Sequence, residues 1–128
     1  MSVTLLSGCG NKVTDKDEQG RTIISIGVWP TKEGKEKENI EARKVRFEEA
    51  NKDFVIQGDQ WRFDLKSFYA KAAAGQLPVI YNTYFTEVSQ IIAAGYSADL
   101  TDELKKQGLY DKINKDVLKI VSKDGKVY

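Results

Sequence analysis

The chain contains no histidine, which removes the commonest general base and the commonest metal ligand. Cys9 is its single cysteine, so neither an internal disulfide nor a cysteine-based zinc site can form. No run of about 18 apolar residues occurs, so nothing here spans a bilayer as a helix. Neither sign of charge is in excess: 20 basic residues against 19 acidic ones leave a net charge of +1. Such a balance recruits neither nucleic acid nor anionic lipid through a strong field. Several enzyme signatures are also missing. There is no Gly-x-Gly-x-x-Gly after a strand, no phosphate-binding Gly-x-x-x-x-Gly-Lys and no Gly-x-Ser-x-Gly elbow. Carboxylates are plentiful but lie mostly among lysines on expected helix surfaces, so no glycosidase pair stands out. Asp15, Asp17 and Gly20 imitate the start of a calcium loop, but the position for its bidentate glutamate is Ile26. No cofactor, no metal and no catalysis are expected.

What is present suits one domain with a real core. The 128 residues are 41% hydrophobic and 30% charged, ordinary for a globular protein. The stretch Thr22-Ile23-Ile24-Ser25-Ile26-Gly27-Val28-Trp29-Pro30 is the first strongly apolar, β-branched run. That character marks a central, buried strand of a parallel sheet, and Pro30 forces the chain out of it at Trp29. Glu36 to Asn51 is rich in helix formers, with a thin apolar face of Ile40 and Phe47, and reads as a surface helix covering the sheet edge. Phe54-Val55-Ile56 is a second strand, parallel to the first across this helix, and it runs into a loop carrying Trp61.

Asp64 to Gly75 is the best helix in the chain. Asp64 is its N-cap, Leu65, Phe68, Tyr69, Ala72 and Ala73 form its apolar stripe, and Lys71 lies off that stripe toward solvent. Val79-Ile80-Tyr81 is a third strand, with Tyr84 and Phe85 beyond it, and Phe85 is assigned to the core. Thr86 is placed as the cap of a helix through Val88, Ile91 and Ile92 to Gly95. A short capped helix begins at Asp99-Leu100-Thr101, and another spans Asp111 to Val121. Asp124-Gly125 is a hairpin-type turn that leads into Lys126-Val127-Tyr128, a strand start for which no partner strand is identified.

Three rings, Trp29, Trp61 and Tyr84, thus fall at or just after carboxyl ends of expected parallel strands. That is the edge where open α/β sheets bind ligands. Aromatic faces suit sugar C–H surfaces, and Asp59, Gln60, Asn82, Thr83 and Thr86 can supply hydrogen bonds that fix hydroxyl positions. Asp59, Trp61, Thr83, Tyr84, Thr86 and Trp29 are the candidate ligand contacts.

Leu6-Ser7-Gly8-Cys9 is similar to the lipobox of bacterial lipoproteins, followed by a polar tether from Asn11 to Gly20. The resemblance implies cleavage before Cys9, acylation of that cysteine and anchorage on the outer face of a bacterial membrane. Residues 1–8 would be a signal-peptide remnant and 9–21 the lipidated cysteine and tether, with 22–128 as the folded part. Only eight residues precede Cys9, without Lys or Arg, whereas a signal peptide needs roughly 15–30 and a basic start. Either upstream residues belong to the protein or its start lies elsewhere.

The order of segments resembles the N-terminal lobe of an extracellular solute-binding protein of the carbohydrate type (family 1), which delivers ligands to ATP-binding-cassette importers. The residues that carry this are Leu6 to Cys9, Ile24 to Trp29, Phe68-Tyr69-Ala70-Lys71-Ala72-Ala73-Ala74-Gly75-Gln76-Leu77-Pro78, Ala98-Asp99-Leu100-Thr101 and Lys123 to Tyr128. The acidic residue that such receptors often carry after Leu-Pro is Val79 here. The resemblance implies an α/β lobe of three layers, a mostly parallel sheet flanked by helices, as the first of two lobes. It also implies capture of a sugar or oligosaccharide by hinged closure, docking on a membrane permease and a monomeric state, with no chemistry on the ligand. A surface glycan-binding lipoprotein not coupled to transport is the nearest alternative. A flavodoxin-like signalling or enzyme domain fits the alternation less well, because it wants acidic residues where Trp29-Pro30 stands.

Overall fold

The computed structural model describes residues 15–128 as a mixed α/β chain that divides into two compact units. One runs to Asn82 and the other covers Thr83–Tyr128. The lipobox cysteine Cys9 and most of the expected tether lie outside the described residues.

In the first unit, β1 (Thr22–Ile26) leads through α1 (Lys35–Ala50) to β2 (Phe54–Gly58), and the two strands pair in parallel with Ile24 opposite Ile56. This β-α-β order is the one expected from the apolar runs. β1 has neighbours on both sides, because Ile80 bridges to Ile26 in parallel and its amide donates to the Ser25 carbonyl at 3.0 Å. The expected third strand over Val79–Tyr81 is therefore only this single bridge, since its other residues form no ladder. At the opposite end of β1, Lys16 bridges Thr22 in antiparallel sense. β1 is central as expected, yet none of its five residues is fully buried.

α1 buries no side chain, in keeping with its thin apolar face. It still covers the sheet edge, because Glu48 accepts the outward amide of Ile56 at 2.8 Å. α2 (Leu65–Ala73) starts where Asp64 caps it, with the Asp64 carboxylate accepting from the Ser67 amide. Gly75, at φ 64°, ends it in the left-handed conformation that glycine adopts without penalty. Lys71 is half-buried rather than projecting freely. Phe68 is the centre of this unit: it is fully buried, with the rings of Tyr69, Phe63, Tyr81 and Trp61 at 5.1, 5.2, 5.7 and 6.4 Å.

The second unit holds α3 (Val88–Ala93), α4 (Thr101–Lys106), a 3₁₀ turn over Tyr110–Lys112, α5 (Lys115–Ile120) and a hairpin of β3 (Ser122–Lys123) with β4 (Lys126–Val127). Four expectations are corrected here. Thr86 does not cap α3, whose first flanking residue is Glu87; the Thr86 hydroxyl donates to the Glu87 carboxylate instead. The single helix expected over Asp111–Val121 is broken, because the Asn114 side chain accepts from the Asp116 amide and starts α5 anew. The strand start at Lys126 has its partner in Ser122–Lys123, joined by Asp124 and Gly125, both at positive φ as a tight hairpin turn requires. Phe85, assigned to the core by its sequence, is 67% exposed.

Candidate functional site

The exit of β1 is built by backbone bonds to two other segments. Gly27 donates to the Ile80 carbonyl at 2.9 Å, Val28 to the Trp61 carbonyl at 2.9 Å and Trp29 to the Asp59 carbonyl at 2.8 Å. Asp59 returns one bond, its amide donating to the Ile26 carbonyl at 2.8 Å. Val28 makes this crossing at φ 61°, an outlier for a β-branched residue, and the surrounding bonds hold it there. The Asp59 side chain closes the loop on itself, Oδ1 accepting from the Trp61 amide at 2.7 Å. Asp59 is thus placed by its amide, its carbonyl and one carboxylate oxygen.

Side chains alternate across a strand, so the two faces of this small sheet differ. Ile24, Ile26 and Ile56 line an apolar groove of about 340 Å³ together with Trp29, Ile40, Phe47 and Ile80, with Arg43 and Lys44 beside them. Ile23, Ser25 and Gln57, the alternate positions, line a polar hollow of about 530 Å³ on the other face. Its remaining walls are Asp15, Gly58, Asp59, Gln60 and the Gly75–Leu77 turn with Val79. The hollow therefore presents two carboxylates, three amides and one hydroxyl, and it reaches the carboxyl end of β2. The Ser25 hydroxyl already accepts from the Val79 amide at 2.9 Å and keeps its own proton to donate.

The sequence-derived contacts are distributed between these places. Asp59 and Gln60 line the polar hollow. Trp29 lies on the opposite, apolar face, with its indole N–H donating to Glu41 Oε1 at 3.2 Å. Its ring lies flat on Gly58, where a built Cβ would fall 2.3 Å from the indole, so any other residue would expel it. Trp61 is half-buried among Phe63, Phe68 and Tyr81, the last at 6.0 Å edge to face, and does not line the hollow. Thr83, Tyr84 and Thr86 belong to the second unit. There the Thr83 hydroxyl oxygen is enclosed without a hydrogen-bond partner, Tyr84 is 65% exposed and Thr86 bonds to Glu87.

Ser25, Gln57 and Gln76 were not singled out from the sequence, yet they supply half of the polar lining. A signal for two of them exists: Ser25 and Gln57 are the polar interruptions in otherwise apolar strands, at positions that face each other in register. Among the described residues, no group of three or more histidine, cysteine or carboxylate side chains is placed to hold a metal. No described helix is long and apolar enough to cross a membrane. No protein-family model matches this chain, and no curated protein matches it.

Proposed function

We propose that this chain is the first lobe of a two-lobe extracytoplasmic binding protein that captures a sugar or oligosaccharide for an ATP-binding-cassette importer. The observation that carries the reading is the polar hollow beside the carboxyl end of β2. Carboxylate, carboxamide and hydroxyl groups converge there from Asp59, Gln57, Gln60, Gln76 and Ser25. Such groups both donate to and accept from sugar hydroxyls, and a volume of about 530 Å³ accommodates one or two sugar rings. The parallel pairing of β1 and β2 is compatible with the edge of a larger three-layer lobe. In this reading the second lobe closes over the hollow through a hinge, the closed form docks on a permease, and acylated Cys9 tethers the protein outside the membrane. The ligand leaves unchanged.

Trp61 reports on this event without touching the ligand, because its amide donates to Asp59 and its ring packs in the Phe68 cluster. A cognate oligosaccharide is expected to shift the tryptophan emission of the intact protein. A folded protein that stays silent in fluorescence and calorimetry across a broad glycan panel would overturn the assignment. Trp29→Ala sharpens it. Affinity lost with stability intact would return Trp29 to the ligand site, whereas its packing on Gly58 and bond to Glu41 favour lost stability.

A further inference from the structure

We infer that the hollow selects by charge: its preferred ligands are sugars bearing a free amino group, then neutral ones, and it excludes uronic acids and sugar phosphates. This rests on the carbohydrate reading above. The ionisable side chains among the described residues of its lining are Asp15 and Asp59, and no lysine or arginine is among them. Lys16 and Arg62, the cations nearest to these aspartates in sequence, do not line it. Arg21, at the start of β1, is engaged elsewhere, with its guanidinium on Asp17 at 2.8 Å. The other polar lining groups, Ser25, Gln57, Gln60 and Gln76, are uncharged and bind hydroxyls of any sugar.

The two aspartates therefore set the sign of the site. A carboxylate or phosphate on the ligand would enter a lining whose charged groups, among the described residues, are both carboxylates, whereas an ammonium group gains a charge-assisted hydrogen bond. The Asp59 carboxylate is held by the Trp61 amide through Oδ1, which leaves Oδ2 for the ligand among the described contacts. The apolar groove on the other face has the opposite character, with Arg43 and Lys44 beside it.

The test uses the intact protein and matched β-linked glucose, glucosamine and glucuronate oligomers within a broad glycan panel, at about pH 6, where the free amine is charged. Amino-bearing members are expected to bind about tenfold tighter than their neutral counterparts, with added salt narrowing the gap. Uronates are expected to be weaker than both. Asp59→Asn keeps the oxygen that accepts from Trp61, so the double change Asp15→Asn with Asp59→Asn should shrink the amino-over-neutral ratio in a folded protein. Uronates that bind as tightly as neutral oligomers, or a ratio that survives the double change, would overturn the charge assignment while the sugar reading stands. A folded protein that binds no member of the panel overturns the sugar reading and this inference with it.

Discussion

The two units are held together in different ways. The first joins segments far apart in sequence, and its positioning bonds are mostly between backbones: β1 to β2 and Ile80, then Val28 to Trp61 and Trp29 to Asp59. The second closes on side chains. The Thr101 hydroxyl, on a residue only 8% exposed, donates to Asp99 Oδ1 at 2.6 Å and accepts from the Val127 amide at 2.8 Å. Lys126 adds an ion pair to Asp99 at 3.1 Å, and the Leu100 amide donates to the Val127 carbonyl at 2.8 Å. Backbone ladders tolerate varied side chains on both faces of a strand, which is why β1 can leave one face polar and one apolar. A knot of side-chain bonds centred on the buried Thr101 hydroxyl tolerates little change.

This contrast can be broken unit by unit. The largest expected effect is Phe68→Ala, which removes the one fully buried ring of the first unit and should cost about 3–5 kcal/mol. Both tryptophans lie in that unit, so urea unfolding followed by their fluorescence reads it directly. A midpoint that hardly moves would mean that the ring cluster does not hold the unit. Next comes Thr101→Val, which leaves the Val127 amide buried without its acceptor and should cost about 1–3 kcal/mol. Amide exchange should speed up at Val127 and Leu100 while the tryptophan transition stays in place. An equal shift in both would show that the units unfold as one.

The alternation of strand and helix in the first unit was legible because local pattern decided it. Apolar β-branched runs marked β1 and β2, and Asp64 and Gly75 bounded α2 where expected. The hairpin partner of Lys126–Val127 was missed because a two-residue strand, Ser122–Lys123, carries no periodicity to read. Asn114 falls inside the helix expected over Asp111 to Val121, although its side chain competes for the backbone and starts a new helix. The site was half legible. Asp59 follows a strand visibly, but the location of Trp29 depended on Gly58 lacking a side chain and on Glu41 lying twelve residues further along. Gln76 reaches the hollow only through the turn that brings Leu77 and Val79 beside β1, and no spacing rule announces that contact.

The smallest expected effect separates the units by acid. The Thr101 hydroxyl, then the Thr101 amide and then Lys126 hold the Asp99 carboxyl down to about 2, below its ordinary value of 3.8. A carboxyl depressed in the folded state stabilises it above the ordinary value, and that contribution disappears as protons bind on the way down to the folded value. The second unit should therefore lose stability as pH falls from about 4 towards 2. Glu103 adds to this through its bonds to Gln107 and Lys106. In the first unit Asp17 also sits low: burial raises its carboxyl, and the hydrogen bonds from Arg21 and Gln19 outweigh that. Residue-resolved exchange down the acid limb distinguishes these sources. Asp99→Asn retains an acceptor for Thr101 but has no charge to lose, so the acid response at Val127 should shrink while that at Ile23, whose amide bonds to Asp15 beside the Asp17 turn, persists. An undiminished response at Val127 would place the acid sensitivity of this unit on other carboxylates and remove Asp99 from the knot.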